Sequence, residues 1–204
     1  MRSADKYTPE ELMIFSKCLR EVVKALEKDP EQDFLGELFM SLDLGDSWKG
    51  QFFTPYTVCR MMAAITYDNV LEKKDKGQKW VSVNDPACGA GALLLAFANE
   101  CHSKGVNDQT KVLYVAQDID RLAGCMCYIQ LSLMGCPGYV VIGNTILHPT
   151  TSIDGRGLIP VDQGNVWYTP MYFSDIWQWR VLCAKMNLLA QSETKEESPS
   201  TTTE

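Results

Sequence analysis

The chain has 204 residues, of which 46% are hydrophobic and 22% are charged, and its formal net charge is −7. This length and composition allow one main hydrophobic core with a small appendage. The negative charge argues against a surface that grips nucleic acid unaided, because binding to phosphates requires a concentration of Lys and Arg.

The eight cysteines are expected to be reduced thiols in a cytoplasmic protein. The chain opens with a charged, polar segment rather than a signal peptide, and no apolar run approaches the length of a membrane span. Cys125 and Cys127 are two residues apart rather than in a Cys-x-x-Cys spacing, and neither His102 nor His148 completes a zinc-like arrangement. We therefore expect no metal site and no membrane segment.

The first predicted elements are two helices that form an N-terminal helical extension over residues 1–48. Thr8 can cap the first helix, over residues 9–28, and Glu11 can complete a capping box. The second helix is predicted over about residues 32–44. Apolar residues at helical spacing give the first helix one apolar face, formed by Leu12, Phe15, Leu19, Val22, Val23 and Leu26.

A third predicted helix begins with the pair Thr54-Pro55, which repeats the signal of a capping residue followed by proline, and it ends at about Tyr67. The positive N-terminal end of such a helix can receive a carboxylate. From Trp80 onward, short β-type runs alternate with helical runs, which predicts a parallel sheet with crossover helices. The strands are predicted over 80–84, 112–116 and 139–142, and the crossover helices over 91–103 and 121–133.

The regular pattern ends after the third predicted strand. Prolines and glycines are spaced through residues 149–164, which predicts a loop. Ser174 and Asp175 then predict the start of a last helix. The main domain is therefore expected over residues 49–190, and the Ser-, Thr- and Glu-rich residues 191–204 are expected to form a disordered tail.

The first predicted strand leads into a turn that contains two glycines. Its sequence is Asp85-Pro86-Ala87-Cys88-Gly89-Ala90-Gly91, and the glycines let the backbone approach a ligand where a side chain would collide. A strand-end site of this kind suits a nucleotide-like ligand. A dinucleotide-binding dehydrogenase is an alternative, although Leu94 stands where the third glycine of that fingerprint should be.

The second and third predicted strands each end in a polar residue that could reach the same ligand. Asp118 follows the second strand, where an acid can accept hydrogen bonds from both hydroxyl groups of a ribose. Ile119 is expected to pack on the adenine ring. Asn144 follows the third strand, within Gly143-Asn144-Thr145-Ile146.

A second motif, Gly50-Gln51-Phe52-Phe53-Thr54-Pro55, lies upstream of the glycine turn. Together the two segments resemble motif X and motif I of the γ-type adenine-specific (N6) DNA methyltransferases, the arrangement of the methylation subunits of type I restriction-modification systems. The resemblance covers roughly residues 34–146. It implies an α/β, Rossmann-like methyltransferase fold with a truncated parallel sheet flanked by helices, and S-adenosylmethionine as the cofactor.

The resemblance also implies roles for individual residues. Motif X of the family holds the methionine carboxylate, motif I surrounds the methionine part of the cofactor, and an acid after the third strand accepts a hydrogen bond from the adenine amino group. Asn144 stands in place of that acid, and its amide oxygen could accept the same bond. The implied cofactor-binding residues are Gln51, Phe52, Phe53, Thr54, Pro55, Asp85, Ala87, Cys88, Gly89, Ala90, Gly91, Asp118, Ile119 and Asn144.

The catalytic tetrapeptide of the family, which is Asn, Asp or Ser followed by Pro-Pro and an aromatic residue, occurs nowhere in the 204 residues. No catalytic residue is therefore assigned, although Tyr168 and Tyr172 could stack on a base. Two functions are expected. One is a methyltransferase, minimal or dependent on a partner subunit for target recognition, that modifies adenine in DNA. The other is a non-catalytic module, derived from such an enzyme, that binds S-adenosylmethionine or a partner.

Overall fold

The computed structural model describes residues 3–42, 53–72, 78–161 and 164–196. The helices in these ranges are α1 (Pro9–Lys28), α2 (Phe34–Ser41), α3 (Tyr56–Tyr67), α4 (Ala92–Ser103), the single turn α5 (Asp108–Lys111), α6 (Arg121–Leu133) and α7 (Asp175–Glu196). The strands are β1 (Val81–Asp85), β2 (Val112–Asp118), β3 (Gly138–Ile142) and β4 (Val166–Tyr168).

The start of α1 confirms the predicted capping box. The hydroxyl of Thr8 accepts from the backbone N–H of Glu11 at 3.3 Å, and the Glu11 carboxylate accepts from the backbone N–H of Thr8 at 2.8 Å. Only Leu26 on this helix is buried, so most of the apolar face of α1 is exposed. The second helix is shorter than expected and occupies Phe34–Ser41.

The predicted start of α3 is wrong by one residue. The helix begins at Tyr56 and its N-cap is Pro55, whose backbone is extended and which offers no side-chain hydrogen bond. Thr54 lies one position before the cap, where its hydroxyl makes no capping bond. The two crossover helices are confirmed, since α4 and α6 occupy the expected segments.

The sheet has the strand order β1-β2-β3-β4. The first three strands are parallel, with Val81 opposite Val112 and Tyr114 opposite Gly138, which confirms the predicted parallel α/β arrangement. The fourth strand was not predicted, and it follows the loop predicted over residues 149–164. It runs antiparallel to β3, with Tyr139 opposite Tyr168. Three residues are too few for a periodic pattern, so only pairing with β3 reveals this strand.

Helices and loops cover both faces of the sheet. On one face, α3, α4 and α6 form the larger core with side chains of β1, β2 and β3. On the other face, α7 and residues 157–159 pack against the sheet. Trp177 is fully buried there, and its indole N–H donates to the backbone oxygen of Gln109 at 2.7 Å. Trp177 therefore belongs to the cover of the sheet, while Trp179 is exposed.

The last helix continues to Glu196 and so enters the segment expected to be a disordered tail. Residues 197–204 lie outside the described residues, and the disorder of the tail and the two domain boundaries stay predictions. None of the helices in the described ranges combines the length and apolar character needed to cross a membrane. All eight cysteines are free thiols.

Candidate cofactor site

The turn after β1 is tied to the end of β2 by two long-range hydrogen bonds. The backbone N–H of Gly89 donates to Oδ2 of Asp118 at 2.8 Å, and the backbone N–H of Cys88 donates to the backbone oxygen of Gln117 at 3.0 Å. Within the turn, Oδ1 of Asp85 accepts from the N–H of Ala87 at 3.1 Å. These bonds hold the ends of two neighbouring parallel strands together.

Both glycines of the turn are required by their surroundings. Gly91 has φ +96°, a conformation that L-residues rarely adopt, and a Cβ there would lie 2.9 Å from the sulfur of Cys127. Gly89 has φ +54°, and its Cβ would lie 3.0 Å from the ring of Phe53. The Phe53 ring also packs on Phe39 with ring centroids 5.4 Å apart. The aromatic residue of the upstream motif is therefore in contact with the glycine turn.

A cavity of about 230 Å³ opens between the beginnings of α3 and α4. The start of α4 has no side-chain cap, and Ala92 and Leu93 at that start line the cavity, so their backbone N–H groups are available to an anion. Tyr56 and Thr57, at the start of α3, do not line it. The cavity is lined by Phe53, Thr54, Cys59, Met62, Asp85, Ala87, Cys88, Gly89, Ala90, Ala92 and Leu93. A carboxylate is the kind of group that this arrangement favours.

Half of the residues expected at the cofactor site line this cavity. Pro55 and Gly91 are the N-caps of α3 and α4. Asp118, Ile119 and Asn144 do not line the cavity, and lie instead at the neighbouring strand ends. Gln51 and Phe52 lie outside the described residues. The predicted residues that line the cavity are Phe53, Thr54, Asp85, Ala87, Cys88, Gly89 and Ala90.

Sequence reasoning missed the contribution of α3 to this cavity. Cys59 and Met62 line it from one side of α3, three residues apart and thus on one face of the helix. Burial raises the pKa of the Cys59 thiol to about 11, with smaller contributions from the nearby carboxylates of Asp33 and Asp85, so this thiol is protonated at neutral pH. The helical spacing within α3 was the available signal.

Gln130 on α6 supports the turn from behind, and it too was missed. Its amide nitrogen donates to the backbone oxygen of Ala90 at 2.9 Å and to Oδ1 of Asp33 at 2.7 Å. Its amide oxygen accepts from the backbone N–H of Leu35 at 3.0 Å. Both polar atoms of this fully buried amide thus join α2, α6 and the glycine turn.

Asp85 is a partly buried carboxyl group that lines the cavity. Burial raises its pKa above the ordinary value, the hydrogen bond from Ala87 opposes that change, and the negative charge of Asp118 adds to it. Among the described residues, no positively charged side chain contributes to the pKa of Asp85. A ligand that brings a positive charge into the cavity would therefore favour the ionised form of Asp85.

Asp118 lies at the end of β2, where both of its carboxylate oxygens already accept one backbone bond. Oδ2 accepts from Gly89, and Oδ1 accepts from the N–H of Asp120 at 2.8 Å. A carboxylate has further lone pairs, so each oxygen can accept another donor. Ile119, beside it, is 68% exposed and offers an uncovered apolar surface. The arrangement can receive the hydroxyl groups of a sugar and a flat apolar ring.

The end of β3 lies next to these residues. The backbone N–H of Gly143 donates to the backbone oxygen of Asp118 at 2.9 Å, and the hydroxyl of Thr145 donates to the backbone oxygen of Pro86 at 2.5 Å. Oδ1 of Asn144 accepts from the N–H groups of Ile146 at 2.9 Å and Leu147 at 3.2 Å. The ends of β1, β2 and β3 thus form one continuous edge that runs from the cavity to Asn144.

One similar solved structure is a much longer protein. The chain is similar to the methyltransferase subunit of a type I restriction-modification system from Streptococcus thermophilus, with 22% sequence identity and a TM-score of 0.37. That similarity covers 50% of this chain and 22% of the subunit, so the chain spans only about a fifth of the length of that protein. No curated protein matches the chain.

The family comparison covers more of the chain. The N-6 DNA methylase family matches residues 40–188, which extend from α2 through most of α7 and include the whole sheet and the cavity. The match is more than half of the chain. This chain is therefore a member of the N-6 DNA methylase family.

Proposed function

We propose that the protein binds S-adenosylmethionine at the edge formed by the ends of β1, β2 and β3, and that it serves methylation of adenine in DNA at the N6 position. The observation that carries this proposal is the cavity beside the uncapped start of α4, joined through Gly89 to Asp118. Its proposed place of action is the cytoplasm, where the free thiols stay reduced.

The chemistry of the cavity matches the methionine part of the cofactor. The uncapped N-terminus of α4, where Ala92 and Leu93 line the cavity, favours its carboxylate. Asp85, whose pKa is raised by burial and by the charge of Asp118, would receive its ammonium group. Met62 and Leu93 provide apolar walls for the methylene groups. The carboxylate and the ammonium group of the ligand thus each meet a protein group of opposite charge or dipole.

The strand ends beyond the cavity match the nucleoside part. Asp118 would accept hydrogen bonds from the ribose hydroxyl groups, and the exposed side chain of Ile119 would pack on the adenine ring. Adenine in DNA is proposed as the methyl acceptor because of the family to which the chain belongs. The net charge of −7 favours a partner subunit as the source of DNA contacts and target recognition.

Calorimetric titration of the protein with S-adenosylmethionine tests the cofactor site. We expect saturable one-to-one binding that is lost in Gly89→Val, because the added side chain would meet the Phe53 ring, and is weakened in Asp118→Ala. Thermal melting of both variants must show that they are folded. Absence of binding to the unaltered protein at millimolar ligand would refute the proposal.

A second function, a non-catalytic module that binds the cofactor, is favoured by the absence of the catalytic tetrapeptide from the 204 residues. The two functions differ in one measurement, the transfer of a radiolabelled methyl group from S-adenosylmethionine to DNA. Adenine labelling by the protein, alone or with an added recognition subunit, would exclude the non-catalytic module. Tight cofactor binding without labelling in either case would support it.

A further inference from the structure

The turn after β3 occupies the side-chain oxygen of Asn144 and leaves its amide nitrogen for a ligand. Its Oδ1 accepts two bonds, from the backbone N–H groups of Ile146 at 2.9 Å and Leu147 at 3.2 Å. Both partners are N–H donors, so the side-chain atom that faces them is the oxygen and not the nitrogen. An amide oxygen has two lone pairs, and the turn uses both of them.

The amide nitrogen Nδ2 of Asn144 is therefore the available atom. Within the part of the chain that the structure describes, Nδ2 donates no hydrogen bond, and the residue is half-buried. An amide nitrogen donates hydrogen bonds and does not accept them. This nitrogen can therefore donate to an acceptor atom on a ligand.

Asn144 also lies where the base of a bound nucleoside would end. Gly143, its neighbour, donates to the backbone oxygen of Asp118, and the carboxylate of the same Asp118 holds Gly89 of the glycine turn. A ligand that occupies the cavity and places its ribose at Asp118 therefore extends toward β3 and Asn144. This placement rests on the cofactor site proposed above.

We infer that Asn144 donates a hydrogen bond to a nitrogen of the cofactor's purine ring and does not accept a hydrogen bond from the 6-amino group. The site consequently has no requirement for the amino group at this position. A carboxylate in place of the amide would behave differently, because one oxygen would keep the turn and the other would be a free acceptor. Asn144 thus sets which edge of the base the protein recognises.

The test compares two ligands by calorimetry. One is S-adenosylhomocysteine, and the other is its purine analogue in which hydrogen replaces the 6-amino group. The unaltered protein is expected to bind both with dissociation constants within about threefold of each other, because no hydrogen bond depends on the amino group. Asn144→Asp is expected to favour the ligand with the amino group by about tenfold or more, since a bond to a charged acceptor is stronger.

Thr145→Val is the matched control, because it removes the neighbouring bond to Pro86 and leaves the amide of Asn144 in place. Its ratio of dissociation constants should equal that of the unaltered protein. A loss of affinity of about tenfold or more for the analogue in the unaltered protein would overturn the inference alone, as would an unchanged ratio in Asn144→Asp. If the unaltered protein binds neither ligand nor S-adenosylmethionine, the proposed cofactor site itself fails.

Discussion

The turn after β1 and the turn after β3 stand at the same edge of the sheet, yet they are held in different ways. Gly89 in the first turn is bonded to Asp118, and it lies against the ring of Phe53. In the second turn, Gly143 and Thr145 also bond to Asp118 and Pro86, but the side chain of Asn144 accepts only from the backbone of the residues that follow it. A substitution in the first turn should therefore disturb the whole fold, whereas one of Asn144 in the second should act locally.

The largest effect is expected from Gly91→Ala. The added Cβ would lie 2.9 Å from the Cys127 sulfur, at a φ of +96°. Strain and overpacking together should lower the free energy of unfolding by about 3 kcal/mol. Gly105 is the matched control, because it has φ +68° but no described atom lies within 4 Å of the position that its Cβ would occupy. Gly105→Ala should cost only about 1 kcal/mol, and equal losses in urea denaturation would contradict the argument.

Asp118→Ala should have the next largest effect. It removes the acceptors for Gly89 and Asp120, both at 2.8 Å, and leaves two backbone N–H groups to find other partners. Bonds to a charged acceptor are worth more than neutral ones, so we expect a loss of about 2 kcal/mol in urea denaturation. Asp118→Asn keeps one acceptor oxygen, so its free energy of unfolding should lie between those of the unaltered protein and Asp118→Ala. A loss in Asp118→Ala no greater than in Asp118→Asn would show that only one of the bonds matters.

Asp85→Asn should change the pH dependence of stability. Burial raises the pKa of Asp85 in the folded state, so the folded protein binds more protons than the unfolded chain just above the ordinary pKa. The contribution of Asp85 to the free energy of unfolding is therefore full in acid and is lost as the pH rises through the raised pKa. The difference between the unaltered protein and Asp85→Asn, measured in urea across this range, should decrease with pH. A flat difference would contradict this expectation.

The same residue offers a way to test the ligand. A positively charged ligand group beside Asp85 would favour the ionised carboxyl group, so affinity for S-adenosylmethionine should increase as the pH rises through the raised pKa. Asp85→Asn should bind more weakly and should lack that pH dependence. Calorimetric titrations at several pH values measure both effects, and a parallel pH dependence in the variant would assign it to another group.

The smallest effect is expected at Asn144. Replacement by Ala removes two hydrogen bonds in a turn that makes them with its own backbone, and water can replace part of them because Ile146 and Leu147 are exposed. We expect Asn144→Ala to lower the free energy of unfolding by about 1 kcal/mol or less, and Asn144→Asp by less than Asn144→Ala. A loss in urea denaturation as large as that of Asp118→Ala would show that the effect of Asn144 is not confined to its own turn.

The capping box of α1 and the strand–turn–helix order of β1 and α4 could be predicted because their signals lie within a few residues. The bonds between Thr8 and Glu11 close over three residues, and the periodicity of α6 is visible in its own sequence. The start of α3 was placed one residue early, since either Thr54 or Pro55 can precede a helix and only the backbone decides which one caps it.

Other features were invisible because their partners are distant along the chain. The strand β4 exists through its pairing with β3, and Gln130 contacts Asp33, which is 97 residues away. Cys59 and Met62 line the cavity only because α3 packs beside α4. None of these contacts leaves a pattern in a short window of sequence.

The sequence by itself determined the helices other than the single turn α5, the three parallel strands, and the strand ends at which Gly89, Asp118 and Asn144 stand. These features could be predicted because periodicity and turn residues are visible within short segments. Only the tertiary structure decided which atoms at those strand ends are left for a ligand. Asp118 uses a lone pair to hold Gly89, and Asn144 uses its oxygen to close the turn. Each side chain can therefore offer a ligand only the lone pairs or N–H groups that these hydrogen bonds do not use. Which hydrogen-bonding atoms stay available depends on three-dimensional contacts, and the type of residue alone does not reveal it.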